Sequence, residues 1–267
     1  MTHTLSPIAF SMGTFEVRWY GLMYLAGFLL GWMLGRFRAS RLYTDWRTND
    51  VDDLLTFSML AVILGGRLGY VLFYDLFTYL QDPLEIFKIW NGGMSFHGGL
   101  LGVLCAFCYF ARTRKKNFLE VSDFVAPLVP QAIFWGRLGN FINGELWGKT
   151  TDLPWGIVFP GGGPWPRHPS QLYEALLEGV VLSVLLLTYA RKRRPDGRIS
   201  GLFAVGYAVF RFFIEFIRIP DVQLGYLAFG WLTMGQLLCL PLLAVGLWLL
   251  LRPCPPEEKT VFNDLHH

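Results

Sequence analysis

Charge is what this chain has least of: Asp, Glu, Lys and Arg supply only 16% of its 267 residues, against 53% hydrophobic, and its mean hydropathy is positive. That balance excludes an ordinary soluble domain of this length, where charged residues reach about a quarter of the chain. Cysteine is scarce too. Four cysteines make no disulfide framework. The lone Cys-x-x-Cys pair, Cys105 and Cys108, stands at i, i+3 inside an apolar run, where a thiol behaves as a small hydrophobe. No cluster of histidine and cysteine has ligand spacing, so no metal is expected. The first sixteen residues lack the basic start of a cleavable signal, and no stretch reads as a separate soluble domain. No nucleic-acid partner is expected either.

What the chain does have is a succession of apolar runs, near 20–36, 54–74, 97–111, 121–141, 171–190, 200–217 and 232–251. About twenty such residues cross a bilayer as a helix. The pattern predicts an all-α membrane protein with about seven transmembrane helices: residues 1–252 form one polytopic domain, and 253–267 a short, polar, Pro-rich cytoplasmic tail. Lys and Arg in short loops set the orientation. They gather after the first span (Arg36, Arg38, Arg41, Arg47), the third (Arg112, Arg114, Lys115, Lys116) and the fifth (Arg191, Lys192, Arg193, Arg194, Arg198). The alternate loops carry only Lys88, then Lys149 and Arg167, then Arg218. The N-terminus is therefore expected outside the cytoplasm and the C-terminus inside.

Against that background three arginines, Arg67, Arg137 and Arg211, stand inside membrane-length runs. A charge at that depth is costly and needs a reason. The predicted topology puts all three in the outer half of the membrane, level with Tyr20, His97, Gln171, Tyr173 and Glu174 at the outer openings of other spans. A polar cavity at outer-leaflet depth accounts for the grouping. A guanidinium fork matches the oxygens of a phosphate or carboxylate and stays charged when buried, which suits an anionic lipid head group. The competing reading is internal pairing. Arg211, Glu215 and Arg218 share one helical face, so Glu215 can bridge both arginines. Arg137 has no acid one turn away, although Glu145 lies just beyond its helix, and Arg67 also fits a structural ion pair.

Two glycine-rich signatures frame the cavity. One runs from Gly136-Arg137-Leu138-Gly139-Asn140 through Asn143, Gly144 and Glu145 to Trp147-Gly148; the other is Gly92-Gly93-Met94-Ser95-Phe96-His97-Gly98-Gly99-Leu100. Membrane glycines more often serve close helix packing, but these adjoin Arg, Asn and His, which also fits an open site. Gly66-Arg67-Leu68-Gly69-Tyr70 partly echoes the first signature.

The run from Gly136 to Gly148 resembles the signature of the bacterial phosphatidylglycerol:prolipoprotein diacylglyceryl transferases. The resemblance extends through Arg18-Trp19-Tyr20-Gly21, Gly65–Tyr70, His97–Leu100, His168-Pro169-Ser170-Gln171-Leu172-Tyr173-Glu174 and Arg211-Phe212-Phe213-Ile214-Glu215, nearly the whole chain. It implies a seven-helix inner-membrane enzyme that moves a diacylglyceryl group from phosphatidylglycerol to the lipobox cysteine thiol of a preprolipoprotein. The products are a thioether-linked lipid and glycerol phosphate, and no metal or organic cofactor is needed. The resemblance marks Tyr20, His97, Arg137, Asn140, Gly148, Tyr207 and Arg211 as important. In chemical terms Arg137 and Arg211 are the candidates to hold the departing phosphate. His97 is either the base for the thiol or a residue that shapes the lipid site. Tyr20, Arg67, Asn140, Asn143, Glu145, Gly148, Tyr207 and Glu215 are the candidates to seat the substrate. The loop from Lys149 to Ser170, with Phe159-Pro160-Gly161-Gly162-Gly163-Pro164, holds too much Gly and Pro for a regular element. It is expected to form a mobile rim with the segment before His97. A transporter of an anionic lipid or solute is the alternative, since intramembrane arginines beside helix-interrupting glycines also mark anion pathways.

Overall fold

The computed structural model describes residues 1–13, 15–41, 45–220 and 225–253. The chain opens with an antiparallel hairpin, β1 (Ile8–Met12) and β2 (Phe15–Arg18), in which Phe10 pairs with Val17 and Ser11 with Glu16. Helices follow: α1 (Trp19–Arg41), α2 (Thr48–Phe73), the short α3 (Leu76–Gln81), α4 (Phe96–Thr113), α5 (Phe118–Val125), α6 (Val129–Asn143), α7 (Ser170–Glu174), α8 (Leu182–Tyr189), α9 (Arg198–Ile214) and α10 (Met234–Leu251). A π-helical stretch, Ala175–Val181, joins α7 to α8, so residues 170–189 wind as one rod. Helices occupy all seven segments that the apolar runs mark. Four of the rods are long and apolar enough to cross a membrane: α2, α4, Ser170–Tyr189 and α10. Their outward faces keep large apolar side chains exposed, among them Leu64, Leu101, Leu185 and Trp248, a surface that suits lipid. The all-α expectation missed the hairpin, whose two short strands carry little alternation. Most of the expected tail, residues 254–267, lies outside the described residues.

The residues form two compact units, Gly35–Ser122 and the remainder of the chain, with the divisions falling inside α1 and α5. In the Gly35–Ser122 unit, α2 and α4 pack through paired small residues four apart. Gly65 and Gly69 of α2 face Gly98 and Gly102 of α4, and a Cβ on Gly69 would sit 2.7 Å from the Gly98 Cα. The glycines after His97 thus serve close helix packing, the reading that membrane statistics favour over an open site.

The other unit holds α6 against the π-helical stretch, where a Cβ on Gly179 would meet the Phe134 Cβ at 2.7 Å. There α9 also crosses α10, Gly201 approaching the Gly246 carbonyl so closely that a Cβ would stand 2.9 Å from it. Leu182, Leu186 and Ile199 fill the core beneath with Ala126 and Ala190. The start of α9 is capped from α5. Asp123, buried, accepts the Gly197 and Ser200 amides at 2.8 and 2.7 Å and the Ser200 hydroxyl at 2.6 Å. This answers the amides that a helix N-terminus leaves unpaired, so Asp123 is an internal acid with a structural purpose.

Candidate functional site

The site is built around one buried carboxylate. Pro169 precedes α7, and the helix carries Ser170, Gln171 and Glu174 inward, all three with no exposed surface. Glu174 receives three arginines from different parts of the unit. Arg137 of α6 approaches through Nε at 2.5 Å from Oε2. Arg211 of α9 and Arg218 beyond it place Nη1 at 3.0 and 2.5 Å from Oε1. Glu215 is the second acceptor. Its Oε1 meets Arg211 Nη2 and lies 3.4 Å from Arg218 Nε, while its Oε2 accepts the Thr233 hydroxyl at 2.7 Å. Thr233 also caps α10 with Gln236, and Gly235 permits the approach, since a Cβ there would stand 2.6 Å from the Glu215 carboxyl carbon.

The bridging of Arg211 and Arg218 by Glu215 is as their spacing suggests. The acid for Arg137 is not the one sequence proximity pointed to. It is Glu174, thirty-seven residues further along the chain, whereas Glu145 accepts the Asn140 and Asn143 amides at 2.9 and 3.2 Å. The arginines also differ in what they leave free. Arg211 commits both terminal nitrogens to carboxylates, and Arg218 commits Nη1 and Nε. Arg137 touches Glu174 through Nε as an ion contact without hydrogen-bond geometry, its terminal fork has no hydrogen-bond acceptor among the described residues, and its side chain, 20% exposed, is the most open of the three. The small cavity beside Arg211, Glu215 and Arg218 measures about 30 Å³. That is room for about two waters and too little for a phosphate ester.

The signature turn lies directly beyond α6. Gly144 ends the helix with φ 66°, and Leu146 takes φ 59°, a left-handed conformation that costs a side-chain-bearing residue about 1 kcal/mol or more. The start of α7 holds this turn in place: Ser170 Oγ donates to the Leu146 carbonyl at 3.0 Å and Gln171 Nε2 to the Glu145 carbonyl at 2.5 Å. From below, His3 Nε2 donates to the Phe141 carbonyl at 2.8 Å, its ring packed between Phe141 and Phe159. Gly148 is required by contact. A Cβ there would fall 2.8 Å from the Ile217 carbonyl oxygen and 2.9 Å from the His168 Cβ, at a point where main-chain bonds tie 148 to 168 and 149 to 217. The 149–170 loop has no helix or long strand, but isolated bridges at Thr150–Arg167 and Ile157–Arg167 and the buried Phe159 anchor it. Within it, burial holds the His168 imidazole below its ordinary pKa, and its Nδ1 lies 3.3 Å from the Tyr173 hydroxyl.

Tyr20 opens α1, its hydroxyl 3.0 Å from that of Tyr24 and its ring against Gly139, where a Cβ would stand 3.1 Å from Tyr20 Cδ2. That contact brings Tyr20 beside the α6 turn that carries Asn140. Tyr207, half-buried, stacks on Phe203 one turn before Arg211. His97 and Arg67 belong to the Gly35–Ser122 unit. His97 is exposed in the first turn of α4. Arg67 is 4% exposed and pairs with no acid among the described residues. Its Nε donates to the Ile86 carbonyl at 2.9 Å, Nη1 to Gly92 and Gly93 at 2.5 and 3.1 Å, and Nη2 to Glu85 and Lys88 at 2.5 and 3.3 Å. All five N–H groups are spent on main-chain oxygens, where the sequence suggested either an ion pair or a place in the substrate site.

Membrane-length helices and a buried cluster of arginines and glutamates among them define the class as a multi-pass membrane protein with a charged interior. Comparison with known proteins narrows the class. The chain belongs to the prolipoprotein diacylglyceryl transferase family, whose model matches residues 7–252. It is similar to proteins named phosphatidylglycerol–prolipoprotein diacylglyceryl transferase from several bacteria. That of Nitratidesulfovibrio vulgaris (strain DP4) is 63% identical over 92% of this chain and 94% of its own length. That of Solidesulfovibrio magneticus is 58% identical over 95% and 97%, and that of Legionella pneumophila (strain Lens) 57% over 92% and 96%.

Proposed function

We propose that the protein transfers the diacylglyceryl group of phosphatidylglycerol to the lipobox cysteine thiol of a preprolipoprotein, forming a thioether and releasing glycerol phosphate. Residues 1–252 act as one polytopic domain of seven spans in the bacterial inner membrane. The N-terminus is periplasmic, the C-terminus cytoplasmic and the active site toward the outer leaflet. The distribution of Lys and Arg among the short loops supports that orientation. Membership of the family supports the reaction and both substrates.

The observation that carries the mechanism is the free fork of Arg137. In the transfer a carbon–sulfur bond forms at the glyceryl carbon, the carbon–oxygen bond to phosphate breaks, and its electron pair stays on the phosphate. Arg137 binds the phosphodiester in bidentate fashion and receives that growing charge. Glu174 holds Arg137 in place, and Arg211 and Arg218 add positive potential without spending their own forks on the ligand. Tyr20, Asn140, Asn143, Glu145 and Tyr207 orient the head group, and Gly148 and Glu215 maintain the walls. Attack requires the thiolate, so the thiol proton must leave.

The test is the intact mass of a lipobox peptide after incubation with purified protein. A diacylglyceryl increment on the cysteine with phosphatidylglycerol micelles, and none with phosphatidylethanolamine, is the expected result. No increment from folded protein would overturn the proposal.

A further inference from the structure

Three buried glutamates surround Arg137, Arg211 and Arg218, yet the ion pairs of these arginines use only two of them, Glu174 and Glu215. Glu178, four residues after Glu174 and within the π-helical stretch, is also fully buried. Neither of its carboxyl oxygens has a hydrogen-bond partner among the described residues. Segments of π-helix inside α-helical rods are rare and recur at functional sites. An ionisable side chain within a membrane span calls for a task of its own. The titratable and charged groups whose fields reach Glu178 come from every element packed around it: Glu174 on its own rod, Arg137 on α6, Tyr207 and Arg211 on α9, Arg218 just beyond, and Cys239 on α10.

The charge count gives Glu178 its role. Arg137, Arg211 and Arg218 against Glu174 and Glu215 leave a surplus of one positive charge. An ionised Glu178 neutralises that surplus when the site is empty. A bound phosphodiester, carrying one negative charge, neutralises it instead, and a buried carboxylate without hydrogen bonds then has nothing left to compensate it.

We propose that Glu178 is the proton store of the site, ionised while the arginine cluster is empty and protonated from solvent when an anionic phosphodiester head group binds. Glu178 makes no bond to substrate in this scheme. It is a positioning residue that keeps the buried cluster electrically neutral before and after binding, so head-group affinity depends on pH. The inference rests on the head-group reading of Arg137 given above.

The experiment is calorimetric titration of purified protein in detergent micelles with phosphatidylglycerol, in two buffers of different ionisation enthalpy and across pH. Wild-type protein is expected to take up close to one proton per lipid bound, and its affinity to fall by about tenfold per pH unit on the alkaline side. Glu178→Gln, permanently neutral, is expected to bind without proton uptake and with a flat pH dependence. Lipid binding by the wild type without proton uptake would overturn the inference, as would uptake that persists in Glu178→Gln. The wild-type proton count decides even if that variant does not fold. Failure of the folded wild type to bind phosphatidylglycerol would instead remove the head-group reading, and this inference with it.

Discussion

Two pentapeptides, Gly66-Arg67-Leu68-Gly69-Tyr70 and Gly136-Arg137-Leu138-Gly139-Asn140, read almost alike and end up doing different work. In the first, glycines bring α2 against α4, and Arg67 reaches into the 85–93 segment, where five carbonyls consume its whole donor set. In the second, Gly139 packs on Tyr20, and Arg137 meets a carboxylate through one nitrogen and keeps its fork. The difference lies in what the neighbouring backbone offers. The short 3-10 turns and bends at residues 83–93 turn carbonyls toward Arg67, and a guanidinium is the densest donor available to answer them. Beside Arg137 a charged acceptor, Glu174, meets the side chain instead. A buried arginine whose donors are all spent has none left to bind a ligand directly.

The largest effect should come from removing the acid that positions Arg137. Glu174→Ala leaves three buried arginines short of a partner and should cost about 3–5 kcal/mol, seen as a large fall in thermal stability in detergent. Arg67→Ala should come next, at about 3 kcal/mol, because five main-chain acceptors lose charged donors. It should lower stability while the activity of the protein that remains folded changes little. The smallest effect should be a pH dependence from His168. Its folded-state pKa lies below the ordinary 6.5, so the unfolded chain binds the proton more readily. Stability should decline as pH falls from about 6.5 toward the lowered value, and a His168→Gln variant should lose that part of the decline in thermal scans.

Much of the fold was legible because its cause is local. Helices occupy all seven segments that the apolar runs mark, whereas the glycines beside His97, which also fitted an open site, pack α2 against α4. The hairpin was not legible, since strands of five and four residues carry too little pattern. Of the site, the arginines stood out by their cost in a membrane, and the Arg211–Glu215–Arg218 face followed from helical spacing. Glu174 as the common acceptor could not be read, because its partners are 37 and 44 residues away and only tertiary packing joins them. Glu178 passed unnoticed as one more residue in an apolar run. A second glutamate one turn after Glu174, on a rod that should be lipid-compatible, was the available signal.

The most direct test of the contrast between the two arginines is the initial rate of diacylglyceryl transfer to a lipobox peptide by Arg137→Ala and Arg67→Ala, each scaled to its folded fraction by size-exclusion profile and thermal unfolding. Arg137→Ala should remain folded and lose on the order of 100-fold or more in rate, while Arg67→Ala should be less stable with a near-normal rate per folded molecule. A folded Arg67→Ala protein as inactive as Arg137→Ala, or an Arg137→Ala protein of undiminished rate, would contradict the account.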